Sequence, residues 1–412
     1  MPPRKPRVLL STTLFPNRAE KTRCVFVDKL ARALDQRCAL DISVPLPWTP
    51  PLLKYGPYAH YRAIPAVDRL DGLQLRHPRY FVIPKVARSL HGLLMFLSLL
   101  RHHRQLITDN RPDVILGVWA YPDGFANLLT GRFFSIPVVI SCRGSDINYL
   151  TRKRLHRALI RWTLRRATRV LSVSEALKRE IVALGVPADK VTVIPNGIEA
   201  EKFQPLPHGE ARRRLNLDAD ARYIVSVSRL SHEKGLDILL RAVAAMRNRD
   251  VRLLLVGGGS ERTALGDLAT RLGIDARVTF VGDTTHSQIP LWLNAANLFV
   301  LPSRTEGWPN VLMEALACGR PAIGTNVGGI PEIIDSDALG RIVPPENAEA
   351  LAHALDAALE MHWDAPRIRA SVKSRDWGTV ARETCLVLSE SVVQHAASRS
   401  RSRLSHPLDP AD

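Results

Sequence analysis

The chain has 412 residues, 46% of them apolar and 24% charged, which is ordinary globular composition and room for two packed domains. Its five cysteines, Cys24, Cys38, Cys142, Cys318 and Cys385, are scattered, odd in number and form no C-x-x-C pair, which argues against a disulfide framework and a zinc site. The net charge of +17 is lopsided: residues 1–200 hold 32 Lys/Arg against 14 Asp/Glu, and residues 201–412 hold 25 against 26, so the excess lies in the first half, where it attracts polyanions.

After the basic start, Val8 to Leu10 is too short for the apolar core of a secretory signal, and a reducing cytoplasm is the expected setting. Arg7 to Leu10 reads as a strand. Val25 to Leu34 has helical spacing, with Phe26, Leu30 and Leu34 on one face. The apolar run Leu90 to Leu100 is interrupted by His91, Gly92 and Ser98 and falls well short of a bilayer span. It reads as a helix. Val114 to Gly117, Val138 to Ser141, Arg169 to Val173 and Val191 to Pro195 are apolar strand-like runs. Pro205, Pro207 and Gly209 then break the pattern, ahead of the basic run Arg212 to Arg214. Tyr223 to Val227, Val251 to Val256, Val278 to Val281 and Leu298 to Leu301 restart the strand rhythm, with helical segments between.

Continuous apolar strands separated by helices predict parallel sheets covered on both faces. The fold class is therefore α/β: two tandem Rossmann-like, doubly wound domains facing a central cleft. The expected divisions are a first domain over 1–205, a second over 206–375, a last helix over 376–394 that returns to the first domain, and a disordered Ser/Arg-rich tail over 395–412.

Three segments of the second half carry candidate chemistry. In Val227 to Gly235, Arg229 follows a strand and Lys234 precedes an apolar helix, so two cations and a helix N-terminus can meet one anion. Two ordinary surface cations are the plainer alternative. In Thr305 to Ala315, Glu306 lies in the loop beyond a strand, Pro309 suits the first helical position, and Glu314 lies a turn or more inside the helix. Both carboxylates can accept hydrogen bonds from sugar or ribose hydroxyls; a helix-capping Glu306 and a solvated Glu314 are the alternative. Gly328 and Gly329, before Pro331, allow backbone N–H groups to approach a phosphate, or form a plain turn. Gly257 and Gly258 offer a weaker version. No third glycine completes G-x-G-x-x-G, which counts against a dinucleotide-dependent oxidoreductase.

In the first half, eight cations between Arg152 and Arg169 interleave with Leu155, Leu159, Trp162 and Leu164. This is a basic amphipathic helix of the kind that lies on anionic membrane, or a surface helix with one face on a sheet. Lys85 to Leu106 is a second, more apolar candidate. No helix-turn-helix, RRM or zinc pattern supports nucleic acid as the partner.

The order Arg229-Leu230 with Lys234-Gly235, then Gly257-Gly258-Gly259, then Glu306 and Glu314, then Gly328-Gly329 with Pro331-Glu332, resembles glycosyltransferase family 4 of the GT-B fold. Val193 to Ile198 and Ser172 to Ser174 extend the likeness over nearly the whole chain. Ser11 to Phe15, Trp119 to Gly124 and Arg143 to Asn148 are similar to the teichuronic-acid and exopolysaccharide branch. The resemblance implies a retaining, metal-independent hexosyl transfer that needs no cofactor beyond a UDP- or GDP-sugar donor. It implies that Arg229 and Lys234 hold the diphosphate, Glu306 contacts the donor sugar, Glu314 the ribose, and Gly328 and Gly329 the phosphate site. It puts Arg143 and Asp146 in a loop facing the donor. It further implies a lipid-linked or glycan acceptor, and with the basic helix a peripheral enzyme on the inner face of the cytoplasmic membrane. A sugar-nucleotide epimerase of the same fold is the near alternative. Two positions depart from the family: Arg143 replaces a common His, and Cys24 stands where related sequences usually show Gly.

Overall fold

The computed structural model describes residues 5–20, 23–49, 58–82 and 88–404, the last four as backbone only. The chain forms two compact units: residues up to Pro195 together with those from Trp377 onward, and Asn196–Asp376.

The first unit contains strands β1 (Arg7–Ser11), β2 (Ala39–Ser43), β3 (Leu46–Trp48), β4 (Val67–Leu70), β5 (Leu73–Arg76), β6 (Arg79–Phe81), β7 (Val114–Val118), β8 (Val138–Ser141), β9 (Arg169–Ser172) and β10 (Val191–Val193). Eight of them form one sheet in the order β10-β9-β8-β7-β1-β2-β5-β4, while β3 and β6 pair separately. The large sheet is parallel except for the β4–β5 hairpin. β7 and β8 are buried along their whole length, which suits an apolar, β-branched strand covered on both faces. On one face Val8, Leu10, Val114, Leu116 and Val139 pack with Val27, Leu30 and Leu34 of helix Val25–Asp35, and with Val380, Ala381 and Leu388 of the last helix, Trp377–Leu404.

The second unit contains β11 (Arg222–Val227), β12 (Val251–Val256), β13 (Val278–Gly282), β14 (Leu298–Leu301), β15 (Ala322–Thr325) and β16 (Gly340–Val343), in one parallel sheet of order β13-β12-β11-β14-β15-β16. Its strands serve two cores by simple alternation. Val225, Val227, Leu254, Val256, Phe299 and Leu301 point to one, and Ile224, Leu253, Leu255, Leu298, Val300 and Ile323 to the other. The chain starts in the middle of this sheet, runs outward through β12 and β13, then returns to the other side of β11 with β14. The crevice beyond the C-terminal ends of β11 and β14 is therefore the point where strand order reverses, the usual ligand position of a doubly wound sheet. In the first unit, β1 has the same place between β2 and β7.

Three expectations are corrected. The division falls after Pro195, because the following proline-rich segment packs within the second unit: Asn294 accepts from the Leu206 N–H at 2.9 Å and donates to the Gln204 carbonyl at 2.9 Å. The last helix continues through 395–404, where disorder was expected; the expectation for 405–412 lies outside the described residues. Pro309 is the residue before the helix Asn310–Ala317, where its lack of an N–H is equally harmless. The region 39–81 holds β2 to β6, which strand reading passed over. Residues 85–87 of the apolar candidate lie outside the described residues, and the helix there is His91–Asp109.

Candidate active site

The loops beyond β11, β12, β14 and β15 carry the candidate residues of the second unit, and these four strands are neighbours. Lys234 Nζ donates to Glu306 Oε1 at 2.6 Å, joining the loop after β11 to the loop after β14 across the reversal point. The Ser303 hydroxyl donates to the same oxygen at 2.7 Å, and the Thr325 hydroxyl fixes the Ser303 carbonyl at 2.6 Å. Both ionic side chains are mostly buried, 19% exposed for Lys234 and 9% for Glu306, so this pair is no solvated surface bridge.

Arg304 locks the same two loops. Its guanidinium grips the Asp237 carboxylate with two bonds of 2.8 and 2.9 Å, donates to the His232 carbonyl at 2.6 Å, and reaches Glu346. The Asp237 bonds raise its pKa above the ordinary arginine value. Its backbone N–H donates to the Glu233 carbonyl at 2.8 Å.

Arg229 behaves differently. Its side chain is 75% exposed and pairs with Glu233 at 2.8 Å, four residues on. An exposed pair of this kind contributes at most about 0.5 kcal/mol and is readily exchanged for a stronger anion. Glu314 is 8% exposed, so it is not solvated, and it meets His286 Nε2 at 3.1 Å. The four charged candidates therefore lie on one sheet's loops and helix, but only Lys234 and Glu306 bond each other.

The glycines have a packing reason to be there. A side chain at Gly257, φ +128°, would sit 2.1 Å from the Ser228 carbonyl, and one at Gly258 would sit 2.5 Å from the Asp283 carboxylate. The Leu230 N–H donates to the Gly258 carbonyl at 2.8 Å, so this turn shapes the Arg229 loop directly. At Gly328, φ +53°, a Cβ would lie 2.1 Å from the Glu306 carbonyl. The Gly329 N–H donates to the Gly307 carbonyl at 3.1 Å, so it serves the Glu306 loop, where a phosphate contact was expected.

In the first unit, Asp146 was expected to face a ligand. It is fully buried instead, and its carboxylate is occupied by the N–H groups of Ala120, Arg143 and Gly144 at 2.9 to 3.0 Å, which ties the loop after β7 to the loop after β8. Burial raises its pKa. Arg143 lies over the Phe26 ring at 5.2 Å, and burial lowers its pKa to about 10, which leaves it a cation at neutral pH. Cys24 has φ +47°, the left-handed conformation that favours glycine. Trp119, the residue after β7, has φ +85°, a conformation costing about 1–3 kcal/mol that proteins concentrate at functional sites. Asp123 accepts from both the backbone and the hydroxyl of Thr13, bridging the loops after β1 and β7, and burial raises its pKa to about 6.

Ser303, Arg304, His286 and Asp123 were not picked out from the sequence. The signal available was positional: each follows a strand's C-terminal end in a doubly wound sheet. Among the described residues no group of three or more His, Cys, Asp or Glu side chains is placed to hold a metal ion.

Two doubly wound parallel units, each with its own strand-order reversal, are the architecture of the GT-B fold. Anabaena HepE, solved in complex with UDP, shares this fold with a TM-score of 0.72 at 22% identity, over 93% of this chain and 100% of that one. The profile described as "Glycosyl transferases group 1" matches residues 208–375, and that described as "Glycosyltransferase Family 4" matches residues 25–202. A putative teichuronic acid biosynthesis glycosyltransferase of Bacillus subtilis is 30% identical over 85% of this chain and 88% of its own. A D-inositol 3-phosphate glycosyltransferase of Mycobacteroides abscessus is 35% identical over 41% of this chain and 39% of its own. The chain belongs to glycosyltransferase family 4 and is an enzyme.

Proposed function

We propose that this enzyme moves a sugar with retention from a UDP- or GDP-sugar to a hydroxyl of a lipid-linked or polysaccharide acceptor, in the building of a cell-envelope or extracellular polysaccharide, without a metal or other cofactor. The Lys234–Glu306 bridge carries the reading. A diphosphate arriving at the reversal point draws Lys234 and the exposed Arg229, and their charge opposes what develops as the anomeric C–O bond breaks. Glu306, released from Lys234, accepts from a donor-sugar hydroxyl. The acceptor oxygen attacks from the leaving-group face, and a departing phosphate oxygen takes its proton. The Bacillus subtilis relative supports the polymer class.

Lys234→Ala tests the donor assignment. Turnover, read as nucleoside diphosphate released in the presence of extracted lipid-linked glycans, drops on the order of a hundredfold, the cost of one strong charge-stabilising donor. Full turnover by this variant removes Lys234 from the site.

In the same reading, Arg143 pairs with a carboxylate or phosphate of the donor or acceptor, as its charge and restricted exposure allow. Arg143→His, assayed with neutral and uronic sugar donors, shifts preference away from the acidic donor; an unchanged donor profile discards the pairing. We also assign the first unit's basic helix to an anionic membrane surface, placing the enzyme peripherally on the inner face of the cytoplasmic membrane.

A further inference from the structure

Glu314 is approached by two residues that the transfer scheme does not use. Lys202 Nζ contacts His286 Nδ1, and His286 Nε2 lies 3.1 Å from Glu314 Oε1. An ammonium group only donates, so Nδ1 is the acceptor and the imidazole proton stands on Nε2, aimed at the carboxylate. The ring is braced on its side by Phe203, edge-on at 5.5 Å, and Lys202 lies over that same phenyl ring at 5.6 Å. Lys202 lies just past the start of the second unit, His286 follows β13, and Glu314 is inside helix Asn310–Ala317, so three distant segments meet here. Only one carboxylate oxygen is engaged: among the described residues Glu314 Oε2 has no hydrogen-bond partner.

We propose that His286, set by Lys202, is a positioning residue that turns the second oxygen of Glu314 toward a donor ribose hydroxyl, and thereby makes the enzyme select ribonucleotide over deoxyribonucleotide donors. This rests on the reading of Glu314 as the ribose contact. A nearly buried glutamate held by one bond to a fixed ring has few rotamers left, so its free oxygen is preorganised. A site built to bind a hydroxyl rejects the analogue lacking it, because its polar group is then left unpaired.

The test is calorimetric binding of UDP and its 2′,3′-dideoxy form, or the GDP pair if GDP is the nucleotide that raises the melting temperature. The wild-type chain prefers the ribonucleotide by about tenfold or more, the contribution of one hydrogen bond to a charged group. Glu314→Ala abolishes the preference. His286→Ala weakens the ribonucleotide by a similar factor and leaves the dideoxy form nearly unchanged. His286→Gln, which keeps an N–H donor at the reach of Nε2, restores much of the preference, and Lys202→Met lowers it part of the way. If Glu314→Ala abolishes the preference while His286→Ala keeps it, or weakens both ligands equally, the positioning role is overturned and the ribose contact stands. If Glu314→Ala itself keeps the preference, the ribose contact fails and the proposal with it.

Discussion

Asp123 is a carboxylate kept in the first unit at the cost of desolvation. It is 1% exposed, and burial moves its pKa from 3.8 to about 6, against the opposing pull of its Thr13 bonds. The native state therefore binds a proton more tightly than the unfolded chain. Stability from this group is fully present below about pH 4 and is lost as pH rises through about 6. The loss is about 3 kcal/mol, from about 1.4 kcal/mol per pH unit of displacement. Asp123→Asn stays neutral at every pH and keeps an acceptor for the Thr13 N–H. Denaturant titrations at pH 4 and pH 7 are expected to show the variant gaining about 3 kcal/mol on the wild-type chain between the two. A constant difference would assign the charged form to other groups. Nothing in the sequence around Asp123 announced this, since an Asp before Gly ordinarily marks a turn. That Lys234 and Glu306 lie at neighbouring strand ends was legible, because each follows a strand of the doubly wound sheet in local order. Asp146 was misread for the complementary reason: a carboxylate in a motif and one filled by three backbone N–H groups look alike until the loops fold.

Elements were legible where composition and burial agree. Strands β12 and β14 were read with their observed bounds, because a short run that is apolar at every position but Arg252 has no other stable place than a doubly covered sheet. The short strands β15 and β16, Ala-Ile-Gly-Thr and Gly-Arg-Ile-Val, hold too few apolar residues to stand out, and only the ladders of β15 with β14 and of β16 with β15 make them strands. The last helix shows the same limit at its far end. Its Ser- and Arg-rich sequence reads as unstructured, yet it continues a helix whose earlier turns are anchored by Val380, Ala381, Val387 and Leu388 in the first unit's core. Leu388, fully buried beside the core that includes Leu34, is the clearest anchor. Leu388→Ala is expected to lower stability by about 3 kcal/mol through lost transfer energy and a residual cavity. Chemical denaturation followed by circular dichroism measures it, and a change under about 1 kcal/mol would show that the helix contributes little to holding the unit together.

For the whole molecule, the charge asymmetry seen in composition acquires a place. Helix Arg154–Arg166 buries His156, Ile160, Thr163 and Leu164 and leaves Arg154, Arg157, Arg161 and Arg165 exposed. A groove of about 820 Å³ runs along it, lined by these arginines with Ala158, Trp162 and Arg166. Tyr121 links it to helix His91–Asp109: the phenol accepts the Gly92 N–H at 3.0 Å, and the ring meets His156 edge-on at 5.4 Å. Leu90, Leu93 and Leu97 at that end are 42 to 55% exposed, and Leu155 on the basic helix is 57% exposed. Cations beside exposed leucines fit a surface of anionic headgroups over acyl chains. No helix among the described residues is long and apolar enough to cross a membrane. Binding to vesicles of mixed neutral and anionic lipid is therefore expected to fall steeply between low and physiological salt, because headgroup attraction decays within about 10 Å at 0.1 M. Replacing Arg154, Arg157, Arg161 and Arg165 by Gln weakens it on the order of a thousandfold, each cation near the surface being worth about 1 kcal/mol. Replacing Leu93 and Leu97 by Ser weakens it at every salt concentration, since the buried apolar contribution is not screened. Flotation assays separate the two effects, and vesicle binding indifferent to salt, lipid charge and both sets of substitutions would take the membrane out of the reading while leaving the donor site intact.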